Sequence, residues 1–571
     1  MEPTPRPTGR ATGGPRPSPW KRYGPLLGVA AVVAIVVIVL LVVGGGDDDS
    51  STSSTTSGGA AGKGPVVLTD ANRDSVDWGP QCDVERGRVA VPLTYAPPCV
   101  EPFPEGGDNG GATAPGVTAD TITVALYQAQ PDILEQTFFE QSGSDESLAT
   151  EAETVQQYVE FFEAHYETYG RKVRIVPVKA SGAPDDEEAA KADAIKVAEE
   201  IKAFASWGGP GQTAAYAEEL AARGVMCLGD CMIAATDEFV RERDDTVWLT
   251  FASVDQLSEH WARFITRELV GRKATHAGDE SMRDQTRVFG VVRFDESFAG
   301  LDQAGADFVR RLRGRGVKIA VDSPYELDLA RAQENARNTI AKLKDAKVTT
   351  VIFAGDPVTP QSLTQEATAQ EYFPEWVVLG AAYTDTSLFG RTYDQQQWRN
   401  AFGVSSLPVP LAPEADQLSQ ILVWQSGRPP AAKTFKVLVQ APLIFYTGLH
   451  LAGPELTPRT FRDGLFRFPS SRTDPTNIHL SWGEHGIWPT TDLFGTDDTT
   501  LIWWNPDATG LDEVGNDGKG RWEYSRGGRR YLPDEWPEGP PDVFDAATSV
   551  TSYDEPPPGA RPPSYPSPAS G

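Results

Sequence analysis

The stretch GVTADTITVALYQAQ (116–130) is the first part of the chain that reads as an element of a packed domain. Ile122 to Tyr127 form an apolar, partly β-branched run, bounded by Gly116 on one side and by Gln128 and Gln130 on the other. That composition predicts a strand with a polar exit loop. Downstream, Val155, Tyr158, Val159, Phe162, Tyr166 and Tyr169 recur at helical spacing, and Gly170 is a plausible stop. Further strands are predicted at 172–178, 203–207, 225–229, 246–253, 287–294, 317–323, 348–356 and 376–383, with helical patterns between them.

These strands are continuous apolar runs rather than alternating ones. Such runs predict parallel sheets covered by helices on both faces. There are too many units for one compact sheet, so the fold class is α/β with two doubly wound parallel sheets side by side. Ligands in such sheets sit beyond the carboxyl ends of the strands. The loops expected there are polar or glycine-rich: QAQPD (128–132), WGGPGQT (207–213), GDC (229–231), DESFAG (295–300) and GDPVTP (355–360).

More than a hundred residues precede the first strand. Residues 26–43, LLGVAAVVAIVVIVLLVV, carry no charged or polar side chain. With flanking Gly and Pro this approaches the ~20 residues that cross a bilayer. Arg6, Arg10, Arg16, Lys21 and Arg22 precede the run, and Asp47, Asp48 and Asp49 come after it. The positive-inside rule then puts the N-terminus in the cytoplasm and the bulk of the chain outside the cell. A cleaved signal peptide is the rival reading; its apolar region is usually shorter, ~7–15 residues. The expected organisation is a basic tail (1–24), a transmembrane signal anchor (25–43) and a flexible linker (44–64). Next come a small disulfide-clipped segment (65–115), a two-lobed domain (116–505) and a Pro-rich extension, loose at its end (506–571). Lobe 1 is expected at about 116–246 with part of 384–505, and lobe 2 at about 247–383 with the remainder.

The sequence holds 80 acidic against 51 basic residues, a net charge of −29, which argues against nucleic acid as a partner. Four cysteines outside the cell predict two disulfides, Cys82–Cys99 and Cys227–Cys231, with Gly229 and Asp230 supplying the turn in the second. No cofactor is expected. A metal reading of His479, Glu484 and His485, and a half-matched calcium loop at Asn505, Asp507 and Thr509, are weaker than their readings as ordinary strand and turn residues. Trp482, Trp488, Trp503, Trp504, Trp522 and Trp536 gather late in the chain, either as core or as an aromatic surface, and WGEHGIWP (482–489) with TLIWWNP (500–506) reads as paired strands.

In its order of blocks the chain resembles type I periplasmic solute-binding proteins of the branched-chain amino acid-binding sort. GVTADTITVAL is similar to that family's first strand. GVVRFDESFAG (290–300) with RGVKIA (315–320) resembles the opening of its second lobe, and IAKLKDAKVTTVIFAGDP (340–357) and LAGPELTPRTFRDGL (451–465) resemble later blocks. The resemblance runs from about 116 to 505. It implies two α/β lobes that close on a small ligand, no catalytic group, and import or sensing as output. A membrane importer or receptor is the implied partner, and a monomer is expected. The residues expected to face the ligand are Gln128, Trp207, Gly208, Gln212, Thr213, Asp230, Asp295, Phe298, Asp356 and Tyr383, with Asp385 near the last of these. The loop at 207–213 lacks the family's serine run, which speaks against an α-amino acid and leaves an amide, organic acid or other polar or amphipathic solute open. An alternative is a cell-envelope interaction module that keeps the fold without the pocket. A hydrolase would require a buried acid–base pair.

Overall fold

The computed structural model describes residues 64–130, 147–229, 231–232, 235–295, 301–326, 328, 330–380, 383–513 and 515–570. The expected tail, anchor and nearly all of the linker lie outside the described residues. The chain first makes a small hairpin, β1 (Cys82–Asp83) with β2 (Arg88–Val89), clipped by the Cys82–Cys99 disulfide. This clip is docked on the first lobe: Gln81 Nε2 donates to the Ala164 carbonyl at 3.1 Å, and Tyr95 OH to that of Ile478 at 3.0 Å.

The first sheet contains β3 (Thr121–Gln128), β4 (Lys172–Lys179), β5 (Ala205–Trp207), β6 (Met226–Leu228) and β7 (Val247–Trp248), in spatial order β4-β3-β5-β6-β7, all parallel. The second contains β8 (Phe289–Phe294), β9 (Ile319–Tyr325), β10 (Thr350–Ala354), β11 (Glu375–Leu379), β12 (Ala401–Ser405), β13 (Thr499–Leu511), β14 (Asp517–Tyr524) and β15 (Arg530–Tyr531). Its order is β14-β13-β12-β11-β10-β8-β9, with β15 on β13; β8 to β12 are parallel, and the last three strands are antiparallel. Counted within each sheet, the parallel strands share one order, 2-1-3-4-5.

Both faces of the second sheet are buried, as continuous apolar strands require. Val291, Ile352 and Val377 join a core with Leu257, Trp261 and Phe308, while their neighbours Val292, Phe353 and Val378 join a core with Ile340, Leu343 and Leu363 on the other face. The first sheet shares one core with the helices Leu148–His165 and Gln440–Ala452. Residues 435–452 are apolar enough to cross a membrane by length and composition, but 67% of that stretch is buried, and it is a core helix of the first lobe. It crosses the helix Pro458–Leu465 closely: a Cβ on Gly464 would lie 2.6 Å from the Gly448 carbonyl oxygen.

The apolar cores assign 421–494 to the first sheet and 254–409 with 501–543 to the second. The chain therefore passes between the lobes near 250–253, 410–420 and 495–500, and once more where its C-terminal end returns to the first lobe. Arg530 fastens two of these passages. Its guanidinium pairs with Asp498, both fully buried, and donates to the carbonyls of Ser406 and Leu407 at 2.8 Å each.

Three sequence expectations differ from the structure. The strand expected at 246–253 is limited to Val247–Trp248. TLIWWNP forms part of β13, but its partners are β12, β14 and β15, whereas 482–489 contributes only an isolated bridge, Gly483 to Asp492. Of the two readings of the late tryptophans, core is the one that holds for Trp482, Trp503, Trp504, Trp522 and Trp536, all buried. The end expected to be loose runs back across the first lobe: Tyr565 OH donates to Asp83 at 2.7 Å, and Trp424 Nε1 donates to the Tyr565 carbonyl at 3.0 Å.

Two predictions concern stability. Cys82–Cys99 spans a sequence separation of 17 and Cys227–Cys231 one of 4. Loop-closure entropy assigns about 3 kcal/mol to the first and about 2 kcal/mol to the second. Denaturant titration of the two Cys→Ser double variants is expected to show that ranking. Secondly, His260 and His450 are enclosed as neutral rings; burial pulls each from 6.5 down to about 4. The unfolded chain binds these protons first. Stability is thus retained above about pH 6.5 and lost as pH falls towards 4, by up to about 3 kcal/mol per ring. Urea midpoints measured across that range should fall, and the fall should shrink in His450→Gln.

Candidate functional site

In a 2-1-3-4-5 sheet the connections leave in opposite directions on either side of the first strand, opening a crevice at the carboxyl ends of strands 1 and 3. In the first lobe that crevice lies between the ends of β3 and β5, at Gln128 and Gly208. In the second it lies between the ends of β8 and β10, at Asp295 and Asp356. Gln128, the loop 207–213, Asp295 and Asp356 thus sit at the two switch points and Tyr383 follows β11, but the side chains divide into two groups.

Three are taken up by the fold. Trp207 is 2% exposed and its indole packs 5.3 Å from Phe445, so it faces the core and not solvent. Thr213 is buried and its hydroxyl accepts from Ala215 N–H at 3.1 Å, at the start of the helix Ala215–Ala222. Asp356 is 1% exposed, and its carboxylate accepts four hydrogen bonds: from Tyr325 OH at 2.5 Å, from the N–H groups of Val358 and Thr359 at 2.8 Å each, and from the Thr359 hydroxyl at 2.7 Å. An anion placed there caps the helix Thr359–Ala369 and complements its dipole. No lone pair is left for a ligand. The expectation that these three contact ligand is corrected on those grounds.

The others remain near the surface of the crevices. Gly208 takes φ +76°, a conformation suited to glycine, and its N–H donates to the Leu228 carbonyl at 3.0 Å. Gln212 is half-buried in the same loop, and Gln128 is half-buried at the end of β3. Asp295 pairs with Arg293 at 2.5 Å while its N–H closes on the Tyr325 carbonyl. Tyr383 is 36% exposed at φ +63° and its carbonyl accepts from Thr386. Asp230 and Phe298 lie outside the described residues.

Asp385 is the polar group of most interest at this end of the second sheet. Burial pushes its carboxyl up to about 6, and Ser405 Oγ donates to Oδ2 at 2.5 Å. It also fills the space that a side chain at position 380 would need: a Cβ on Gly380 would lie 2.5 Å from the same oxygen. The first lobe has a counterpart that sequence reasoning missed. Tyr127 OH donates to the buried Asp193 carboxylate at 2.9 Å, and Ser206 Oγ meets Tyr216 OH at 2.8 Å, beneath the β3–β5 crevice. Apolar runs gave no hint of these hydroxyls because both faces of the sheet are covered.

The metal readings do not survive in the geometry. His479 Nδ1 is bound to Asp497 at 2.8 Å and His485 Nε2 lies 3.1 Å from the Trp482 carbonyl. Asn505 lies inside β13, where its side-chain oxygen accepts from the N–H of Asp507 and Ala508 at a bulge. Among the described residues no cluster of three or more His, Cys, Asp or Glu side chains is placed to hold a metal ion.

No protein-family model matches the chain, and no curated protein matches it. Solved structures similar to it include a possible leucine/isoleucine/valine-binding protein from Rhodopirellula baltica, 11% identical over 67% of this chain and 94% of that one, with a TM-score of 0.45. A branched-chain amino acid transporter substrate-binding protein from Streptococcus pneumoniae, in complex with isoleucine, is 12% identical over 71% of this chain and all (100%) of that one, TM-score 0.45. A solute-binding protein from R. palustris, in complex with 4-hydroxybenzoate, is 12% identical over 75% of this chain and 100% of that one, TM-score 0.46. The strand order of the two sheets stands independently of these low likenesses.

Asp385 yields a pH prediction. Its folded value, about 6, lies above the ordinary 3.8. The unfolded chain therefore ionises first, and the group weakens the fold as pH rises from about 4 through 6, by about 3 kcal/mol at pH 8. Asp385→Asn, which still accepts from Ser405, is expected to unfold at higher urea than wild type at pH 8, with the difference vanishing near pH 4.

Proposed function

We propose that the chain is a solute-binding protein whose two lobes close on a small polar or amphipathic solute of the amino acid, amide or organic acid class. One observation carries the reading: two sheets of identical parallel order, joined by several passages of chain, each with a polar or glycine-bearing switch point. That geometry suits a hinged clamp. The first lobe would offer the half-buried side-chain amides of Gln128 and Gln212 to an acidic or amide end of the solute. The second would offer Asp385, Asp295 and Tyr383 to a donor group. Residues 25–43 would anchor the protein in the cell membrane with the lobes outside, delivering the solute to an importer or reporting it to a receptor.

A second reading, an envelope interaction module without a ligand, is favoured by Trp207, Thr213 and Asp356 being committed to core and caps. The two differ in thermal unfolding of the full chain against amino acids, amides, organic acids, sugars and nucleosides. A solute at 100 times its Kd adds about 2.7 kcal/mol, a shift of a few degrees. The expected result is a shift with one chemical class, reduced in Asp385→Asn measured at the same pH. A folded protein that shifts with none would support the interaction module.

A further inference from the structure

Between the helix Pro458–Leu465 and β13, the chain loops over the first lobe and brings three side chains into line. Ser470 Oγ lies 2.9 Å from His479 Nε2, and His479 Nδ1 lies 2.8 Å from Asp497 Oδ2. Ser470 is exposed, His479 is 5% exposed and Asp497 is fully buried. Asp497 is held in turn: Ser481 Oγ donates to Oδ2 at 2.7 Å and Trp488 Nε1 to Oδ1 at 2.6 Å. Residue 479 is pinned through its backbone as well, its N–H on Asp498 Oδ1 at 3.0 Å and its carbonyl accepting from Asp497 N–H at 3.1 Å.

A carboxylate accepts and does not donate, so the imidazole presents Nδ1–H to Asp497 and its Nε2 lone pair to the serine hydroxyl. The neighbouring Asp492 is buried, accepts from Gln256 Nε2 at 2.8 Å, and is pushed well above the carboxylate range by burial and by the charge on Asp497. Nucleophile and base within hydrogen-bond reach, with the base oriented by a third group, is the arrangement that activates a serine.

We propose that Ser470 is an activated nucleophile that accepts an acyl group from activated carboxylic esters, with His479 as general base and Asp497 as its positioning residue. In this step Ser470 Oγ forms a bond to the ester carbonyl carbon while its proton passes to His479 Nε2. The bond from carbonyl carbon to alkoxide oxygen then breaks, and the same proton leaves with the alcohol. Serine and ester become acyl-serine and alcohol, with no other reactant. The adjoining Ser471 N–H is committed to the Leu480 carbonyl at 2.8 Å, so the developing oxyanion is left to water. An oxyanion donor is worth about 10²–10³ in rate, and its lack confines the reaction to esters with good leaving groups. The site lies apart from the two switch points and does not depend on the solute-binding reading.

The test is acetylation of the full chain by p-nitrophenyl acetate, with peptide mapping of each serine. General-base assistance contributes about 10²–10⁴-fold, so Ser470 is expected to acquire acetyl at least about a hundred times faster than the exposed Ser570 in the same molecule. Ser470→Ala should remove that label without altering the melting temperature, because the hydroxyl is near the surface. His479→Gln should reduce labelling of Ser470 to the rate of Ser570, and Asp497→Asn should lower it in molecules that remain folded. Equal labelling of Ser470 and Ser570 in wild type would overturn the proposal. So would an undiminished preference for Ser470 in His479→Gln; the serine would then only satisfy the outer ring nitrogen.

Discussion

The two lobes depend on the buried ion pair between Arg530 and Asp498. Both side chains are withdrawn from water, and the guanidinium directs its remaining donors at the carbonyls of Ser406, Leu407 and Asp498. A buried pair is only a weak source of net stability, since desolvation offsets most of the attraction, but removing one partner typically costs about 3–5 kcal/mol. Its effect here is geometric. Arg530, on a two-residue strand, fixes where the chain leaves the second sheet after β12 and where it re-enters before β13. The passage near 250–253 is tied nearby, by Thr496 on the Thr250 carbonyl at 3.4 Å and Gln256 on Asp492. Any movement of one lobe against the other has to pivot around these bonds.

The same neighbourhood concentrates buried polar groups. His260 faces the Asp497 carbonyl at 3.0 Å, with Thr499 and Trp536 on its other nitrogen. Three acidic residues, Asp492, Asp497 and Asp498, stand within seven positions, each buried. Asp497 is bonded through both carboxylate oxygens, by His479, Ser481 and Trp488, whereas Asp498 and Asp492 are each bonded through Oδ1, by Arg530 and Gln256, with Oδ2 left without a partner among the described residues. At or beneath the two switch points, Asp356 and Asp193 each accept from a tyrosine hydroxyl.

Much of the fold was legible because each parallel strand is a continuous apolar run with a helical pattern after it. The strand Ala401–Ser405 was not, since five residues between a tryptophan-bearing turn and a proline-rich segment give no period to read. Position in the fold was also easier to read than direction. Trp207 ends a strand that is buried on both faces, so alternation cannot say which way its side chain turns. Asp356 looked like a ligand residue for being polar at a strand end, yet the helix start after it and the Tyr325 hydroxyl together claim its lone pairs. The alignment of Ser470, His479 and Asp497 had no sequence signal at all: the three come from loops without periodicity, and only the bridge between 471 and 480 brings the first two together.

The return of residues 554–570 to the first lobe has a consequence for synthesis. Tyr565 bonds to Asp83 across 482 positions of sequence, and the first lobe also needs the helices between 417 and 465 for its core. A ribosome adds residues at about 5–20 per second, and domains tend to fold as they emerge. The second lobe can complete most of its parallel sheet while the first, begun earlier, still lacks a helix layer and its closing strap. The part of this protein that starts first is thus the last to finish, and its exposed apolar sheet is the surface a chaperone would meet on the growing chain.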